Sequence, residues 1–196
     1  QHIQRWVNEF TTIEIKPQSR FSLLQTLSDN DVKSYPKESL SMIASALYKV
    51  LLPTNFIITE RHLSERLPSD IELGFDAVAD ITNKLDFVAL NPNDYTYKLE
   101  SQIINNALHV TLKGPSYLYT YKVVIEDKQK VNWKTVVQYD PALPLGQKRI
   151  DFPGEDGLMM KLFRITKDET GVEIDKELIT EDYYPPRHRI EVRSLI

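Results

Sequence analysis

The sequence predicts an α+β protein, in which an N-terminal domain of helices against an antiparallel sheet is followed by an all-β module. Three observations carry that reading. A helical stripe of Leu40, Ile43, Ala44, Leu47, Val50 and Leu51 runs from Pro36 to Leu52. From about Asn55 the chain turns to short, strand-like segments. After Gly114-Pro115 the composition shifts, and no helical pattern of useful length follows. The expected domains are residues 1–118 and 119–196.

Taken in order, Ile3, Trp6, Val7 and Phe10 stand at i, i+3, i+4 and i+7, the apolar stripe of a short helix. Ile13 and Ile15 alternate with polar residues as a strand would, and Pro17 ends the pattern. Phe21 to Leu27 is apolar and fits strand or helix, and Ser28-Asp29-Asn30-Asp31 closes it as a turn. Pro36 suits a first helical position and Pro53 a stop, which frames the central helix. Strands are expected at Phe56–Ile58, Leu85–Leu90 and Tyr95–Glu100. Ile103-Ile104, the Asn105-Asn106 turn and Leu108–Leu112 read as a hairpin. In the second half, Tyr117, Tyr119 and Tyr121 alternate before Val123-Val124-Ile125. Further strands are expected at 134–139, 158–166, 172–179 and 189–192.

The 196 residues carry 24 basic and 28 acidic side chains, a formal net charge of −4, with the signs interspersed. No basic stripe offers itself to phosphates, so nucleic acid is not an expected partner. No apolar run approaches the roughly 20 residues that cross a bilayer, so no transmembrane segment is expected in this chain. No signal-peptide pattern is present, which does not argue for the cytoplasm. The chain has no cysteine, which excludes disulfides, thiolate metal sites and cysteine nucleophiles. His2, His62, His109 and His188 have no metal-ligand spacing, and neither metal nor cofactor is expected.

Ala44-Ser45-Ala46-Leu47-Tyr48, then Ile57-Ile58-Thr59-Glu60-Arg61-His62, then Gly74-Phe75-Asp76-Ala77 resemble the VanW-like family over roughly residues 8–114. That family shows a Gly-Gly-Gly-x-Cys-Gln run leading into its helix, a Glu-Arg-His-x-His-Ser segment and a Gly-Arg-Asp-Ala element. Here Lys37-Glu38-Ser39 stand in place of the glycines, Ser41 in place of the cysteine, Met42 in place of the glutamine and Ser64 in place of the second histidine. His62 and Asp76 remain of the polar set. The later Tyr139-Asp140-Pro141-Ala142-Leu143-Pro144-Leu145-Gly146, Gly154-Glu155-Asp156-Gly157 and Gly171-Val172-Glu173 are similar to the G-five (five-glycine) domain over about residues 119–196. Arg193-Ser194 replace its usual Gly-Thr ending. This resemblance implies an extended β module on an exported, cell-wall-associated protein, with peptidoglycan or its N-acetylglucosamine as the implied ligand.

A cysteine at a helix start, followed by histidine and aspartate, has the layout of transglutaminase-like thiol enzymes. There the helix dipole lowers the thiol pKa, histidine takes the proton and aspartate orients the ring. Ser41 is a poor replacement, because a serine hydroxyl is far less acidic. Lys37-Glu38-Ser39 should also start the helix upstream and leave Ser41 inside the second turn, away from the positive end. The first domain therefore reads as a degenerate, pseudoenzyme form that keeps a binding cleft. The alternatives are a peptidoglycan-modifying, amidase-like hydrolase using Ser41, His62 and Asp76, and a protein-protein scaffold in envelope assembly. His62 also has a plain reading as a hydrogen-bonded structural residue, and Asp76 as a turn residue. Gly154-Glu155-Asp156-Gly157 reads as a tight hairpin. Tyr183 and Tyr184, beside Pro185-Pro186, are the candidate sugar-stacking residues, with the packed end of a β module as the alternative. The expected location is extracytoplasmic, secreted or wall-associated.

Overall fold

A computed structural model of the chain describes residues 2–195. It is mostly β, with a few helices and open sheets. Packing divides it into two compact units, one of residues 1–124 and 163–178, the other of 125–162 and 179–196.

In the first unit, α1 (His2–Glu9) buries Trp6 completely, and Phe10 just after it is nearly buried, two of the four positions of the predicted stripe. The Trp6 indole Nε1 donates to Ser101 Oγ at 3.2 Å, which gives the buried N–H its partner. After β1 (Thr12–Ile15) the ambiguous stretch resolves into both of its readings, a short strand β2 (Arg20–Ser22) and then a helix α2 (Leu23–Asp29). Ser22 makes the switch, since its Oγ accepts from Gln25 N at 2.9 Å as an N-cap.

The central helix α3 (Lys37–Leu51) begins after Pro36 and buries Leu40, Ile43, Ala44, Ser45, Leu47, Tyr48 and Leu51. Val50, assigned to the apolar stripe, is half-buried, while Ser45 and Tyr48 are buried instead. The buried face is thus wider than the stripe. Tyr48 lies against Phe87 with ring centroids 6.0 Å apart, and against Phe75 at 6.4 Å.

Two three-stranded antiparallel sheets complete this part, rather than one. The first has the order β1, β5 (Tyr97–Ile104), β6 (Ala107–Lys113), and the second the order β2, β4 (Val88–Leu90), β3 (Ile57–Glu60). The β5–β6 hairpin turns at Asn105 and Asn106, both at positive φ, a conformation Asn tolerates better than most residues. α3 packs on β6 and α1. Strand β4 is shorter than the expected Leu85–Leu90 because Asp86 is used otherwise. Its carboxylate accepts from Ser22 Oγ at 2.5 Å and Leu24 N at 2.9 Å, fixing the start of α2.

The second half has only strands: β7 (Thr120–Val131), β8 (Thr135–Asp140), β9 (Lys148–Phe152), β10 (Gly157–Lys167), β11 (Glu173–Tyr184) and β12 (Arg189–Ser194). They form sheets of order β11-β10-β7 and β8-β12-β9, with β12 parallel to β8 and antiparallel to β9. Strands β7, β10 and β11 each have residues in both units. In the second unit, the buried apolar side chains among the described residues are Met160, Leu162, Tyr184 and Val192. So thin a core leaves the backbone ladders and close-fitting turns to define the module.

Residues 154–157 are not the expected hairpin, since the strands they join, β9 and β10, belong to different sheets. Gly154 has φ +89°, and a Cβ there would lie 2.6 Å from the Trp133 ring. A Cβ on Gly157 would meet the Tyr184 carbonyl oxygen at 2.4 Å and Pro186 N at 2.6 Å. Both glycines serve close packing where the chain changes sheet.

Candidate functional site

Helix α3 lies beside the stretch 76–80, and two serines one turn apart join them. Ser45 Oγ accepts from Ala77 N at 2.9 Å and donates to Ala77 O at 3.2 Å. Ser41 Oγ does the same with Ala79 N and O, at 3.3 and 3.4 Å. The helix starts at Lys37, which puts Ser41 in its second turn as the sequence predicts, where the dipole gives its oxygen little help. Asp80 holds the end of this stretch. Hydrogen bonds from the Asn83 side chain and from the Asn83 and Thr82 amides, with Lys37 nearby, keep its carboxyl below the usual carboxylate range.

A cleft of about 670 Å³ opens between α3, residues 63–71 and residues 76–85, and both Ser41 and Asp76 line it. Asp76 is 1% exposed. Its carboxylate accepts from Ser64 N at 2.8 Å and Ser64 Oγ at 3.0 Å, while its carbonyl accepts from Arg61 Nε at 2.7 Å. The Arg61 guanidinium lies 4.6 Å from the Tyr48 ring centroid. Ser64 thus supports the buried carboxylate with both its backbone amide and its hydroxyl.

His62 does not line this cleft. It pairs with Val78 in an isolated antiparallel bridge, and its Nε2 is 2.9 Å from Glu60 Oε1. The hydrogen bond to His62 draws the Glu60 carboxyl below its usual range, helped by the Asp86 amide. Among the described residues no hydrogen bond joins His62 to Ser41 or to Asp76. Ser41 Oγ is instead hydrogen-bonded to the Ala79 backbone on both its donor and acceptor sides.

A second cleft of about 640 Å³ adjoins the first, sharing Met42, Ser45, Asp70 and Ile71 with it. Lys49 at its edge is 2.6 Å from Glu72 Oε2 and sits 5.3 Å from the Phe75 ring centroid. Leu63, Glu65, Asp70, Ile71, Lys49 and Glu72 of these clefts carry no motif in the sequence. The available signal was Ser41 and Ser45 at i, i+4, a polar pair on an otherwise apolar face, with the exposed Met42 beside it.

In the second half the two tyrosines separate by face. Tyr183 is 49% exposed, whereas Tyr184 is 3% exposed and packs at Gly157. Neighbours on a strand point to opposite faces, so only Tyr183 can offer its ring to a ligand. His188 has a structural duty, its Nδ1 accepting from Lys134 N at 3.1 Å. Among the described residues no group of three or more His, Asp or Glu could hold a metal, and no helix is long and apolar enough to cross a membrane.

Six strands in two three-stranded sheets, a sparse core and glycines at the change of sheet define the second half as a small all-β module. Residues 120–193 match the G5 domain family, and this part of the chain carries a G5 domain. Among solved structures, the chain is similar to the IgA1 protease G5 domain, with 21% identity and a TM-score of 0.34. That alignment covers 39% of this chain and 89% of the other. It is also similar to HP0197-G5, with 23% identity, a TM-score of 0.27, and 38% and 96% of the two chains covered. No curated protein matches the chain.

Proposed function

We propose that this is a non-catalytic cell-envelope protein that binds a cell-wall component, peptidoglycan or an N-acetylglucosamine-containing glycan, outside the cytoplasm. The observation that carries this reading is the G5 domain at residues 120–193, whose family resemblance implies wall association. On the same reading the N-terminal part is a degenerate VanW-like domain, a pseudoenzyme whose cleft persists after the nucleophile is lost. What supports this is the duty given to each relic residue. Ser41 ties α3 to Ala79, His62 bonds Glu60 and Asp76 bonds Ser64. A Ser41-His62-Asp76 hydrolase would need these groups aimed at one another.

The test is co-sedimentation of the full chain with isolated Gram-positive sacculi, with and without competing N-acetylglucosamine oligomers. The expected result is binding that the oligomers displace, weakened by Tyr183→Ala. Binding that ignores the oligomers would remove glycan as the ligand, and no binding would leave an envelope protein as the partner. The full chain is required, because residues 163–178 pack within the first unit and a cut near residue 118 would strip them from it.

A further inference from the structure

The two clefts beside α3 make one groove with a largely apolar floor. Met42, 39% exposed, Ile71, Leu63 and Val78 supply that floor. The charges around it are unbalanced. Lys37 lies 3.8 Å from Asp80 Oδ2 and Lys49 is taken by Glu72, so both lysines of the groove are answered from within the protein. Glu38, Glu65 and Asp70, all exposed, have no ion-pair partner among the described residues.

One end of the groove already holds an ammonium in the manner that this lining favours. The Lys49 Nζ rests between the Glu72 carboxylate and the Phe75 ring, above apolar surface. A long aliphatic stem ending in an amine matches such a surface twice, its methylenes against the floor and its charge at the rim.

We propose that this groove docks a peptide bearing a lysine-type amine, its stem on Met42 and Ile71 and its ammonium among Glu38, Glu65 and Asp70. This deepens the wall-binding reading and rests on it for the source of the peptide, the amine-bearing stem peptides of the wall. The first unit then takes peptide, while the G5 domain takes glycan.

The test uses the full chain and a fluorescent peptide with one lysine among alanines, beside the same peptide with its lysine Nε-acetylated. Binding is followed by anisotropy at low and high salt. Acetylation should weaken binding about tenfold. The combined Glu38→Gln, Glu65→Gln, Asp70→Asn variant should do the same, as expected from losing a few partly exposed charge contacts. Met42→Lys, which places a competing ammonium on the floor, should also weaken it. Circular dichroism should show every variant folded, since all four positions are exposed. Equal binding of the acetylated peptide, indifference to the triple variant, no binding of either peptide, or a second copy of the chain filling the groove would each overturn the proposal. Sacculus binding without peptide binding would sink the groove and spare the wall reading. Peptide binding without sacculus binding would do the reverse.

Discussion

Arg164 offers the sharpest test of how the first unit is held together. It lies on β10, is 8% exposed, and its Nη1 donates to the carbonyls of Thr54 at 2.7 Å and Phe56 at 2.8 Å. Its Nη2 reaches Glu177 Oε2 at 2.7 Å. The turn after α3 therefore depends on a side chain more than a hundred residues away for two of its buried hydrogen bonds. Arg164→Met keeps much of the stem but leaves both carbonyls without a donor. At about 1–3 kcal/mol for each buried orphan, the loss should be about 2–6 kcal/mol. Glu177 is half-exposed, so Glu177→Gln should cost under about 1 kcal/mol. The chain has two tryptophans. In a Trp133→Phe background, the buried Trp6 reports on the first unit alone. With a urea slope of about 2 kcal/mol per molar, Arg164→Met should lower the Trp6 midpoint by about 1–3 M. A shift no larger than that of Glu177→Gln would refute the argument that β10 closes the first unit.

Other substitutions separate neighbouring effects. Ser45→Ala should cost about 1–3 kcal/mol by orphaning the fully buried Ala77 N–H, and Ser41→Ala less, since its bonds are longer and its site half-buried; paired urea titrations would show the order. Gly157→Ala should destabilise by about 1–3 kcal/mol, because its Cβ would strike the Tyr184 and Pro186 backbone. Gly146→Ala meets nothing within 4 Å and should cost only about 1–2 kcal/mol from its φ of +77°. Equal melting temperatures for the two would contradict the packing account. The Glu191 carboxyl is held below its usual range by the hydrogen bond from Arg193, with the charges of Arg193, Lys148 and Arg189 adding to it. A depressed carboxyl stabilises the fold above its unfolded pKa, and that stability is lost as pH falls through its folded value. Glu191→Gln should therefore lower stability at neutral pH, with the difference from the parent shrinking in acid unfolding curves. A difference independent of pH would count against this.

Much of the architecture was legible because local signals and burial agree. Helix α3 follows from its stripe and flanking prolines, the β5–β6 hairpin from Asn105-Asn106, and the all-β second half from the absence of helical periodicity. The exceptions arose where a side chain works at a distance. Asp86 leaves its strand to serve α2, and Gly154 and Gly157 meet Trp133 and the Tyr184 backbone instead of forming a hairpin. Of the site, Ser41, His62 and Asp76 are grouped only through the VanW-like resemblance, and of the three Ser41 and Asp76 line one cleft. The pairing of His62 with Glu60 could not be read, since it depends on how β3 ends. Tyr184 shows the same limit, as strand alternation buries one of two adjacent tyrosines without saying which.

Binding of the wall without cleavage, as proposed above, is read in both halves by one experiment. Labelled sacculi are incubated with the full chain, and bound protein and soluble fragments are measured from the same tube. The account predicts bound protein and no release above that of sacculi alone, with Ser41→Ala identical to the parent. Fragment release that disappears in Ser41→Ala would contradict it.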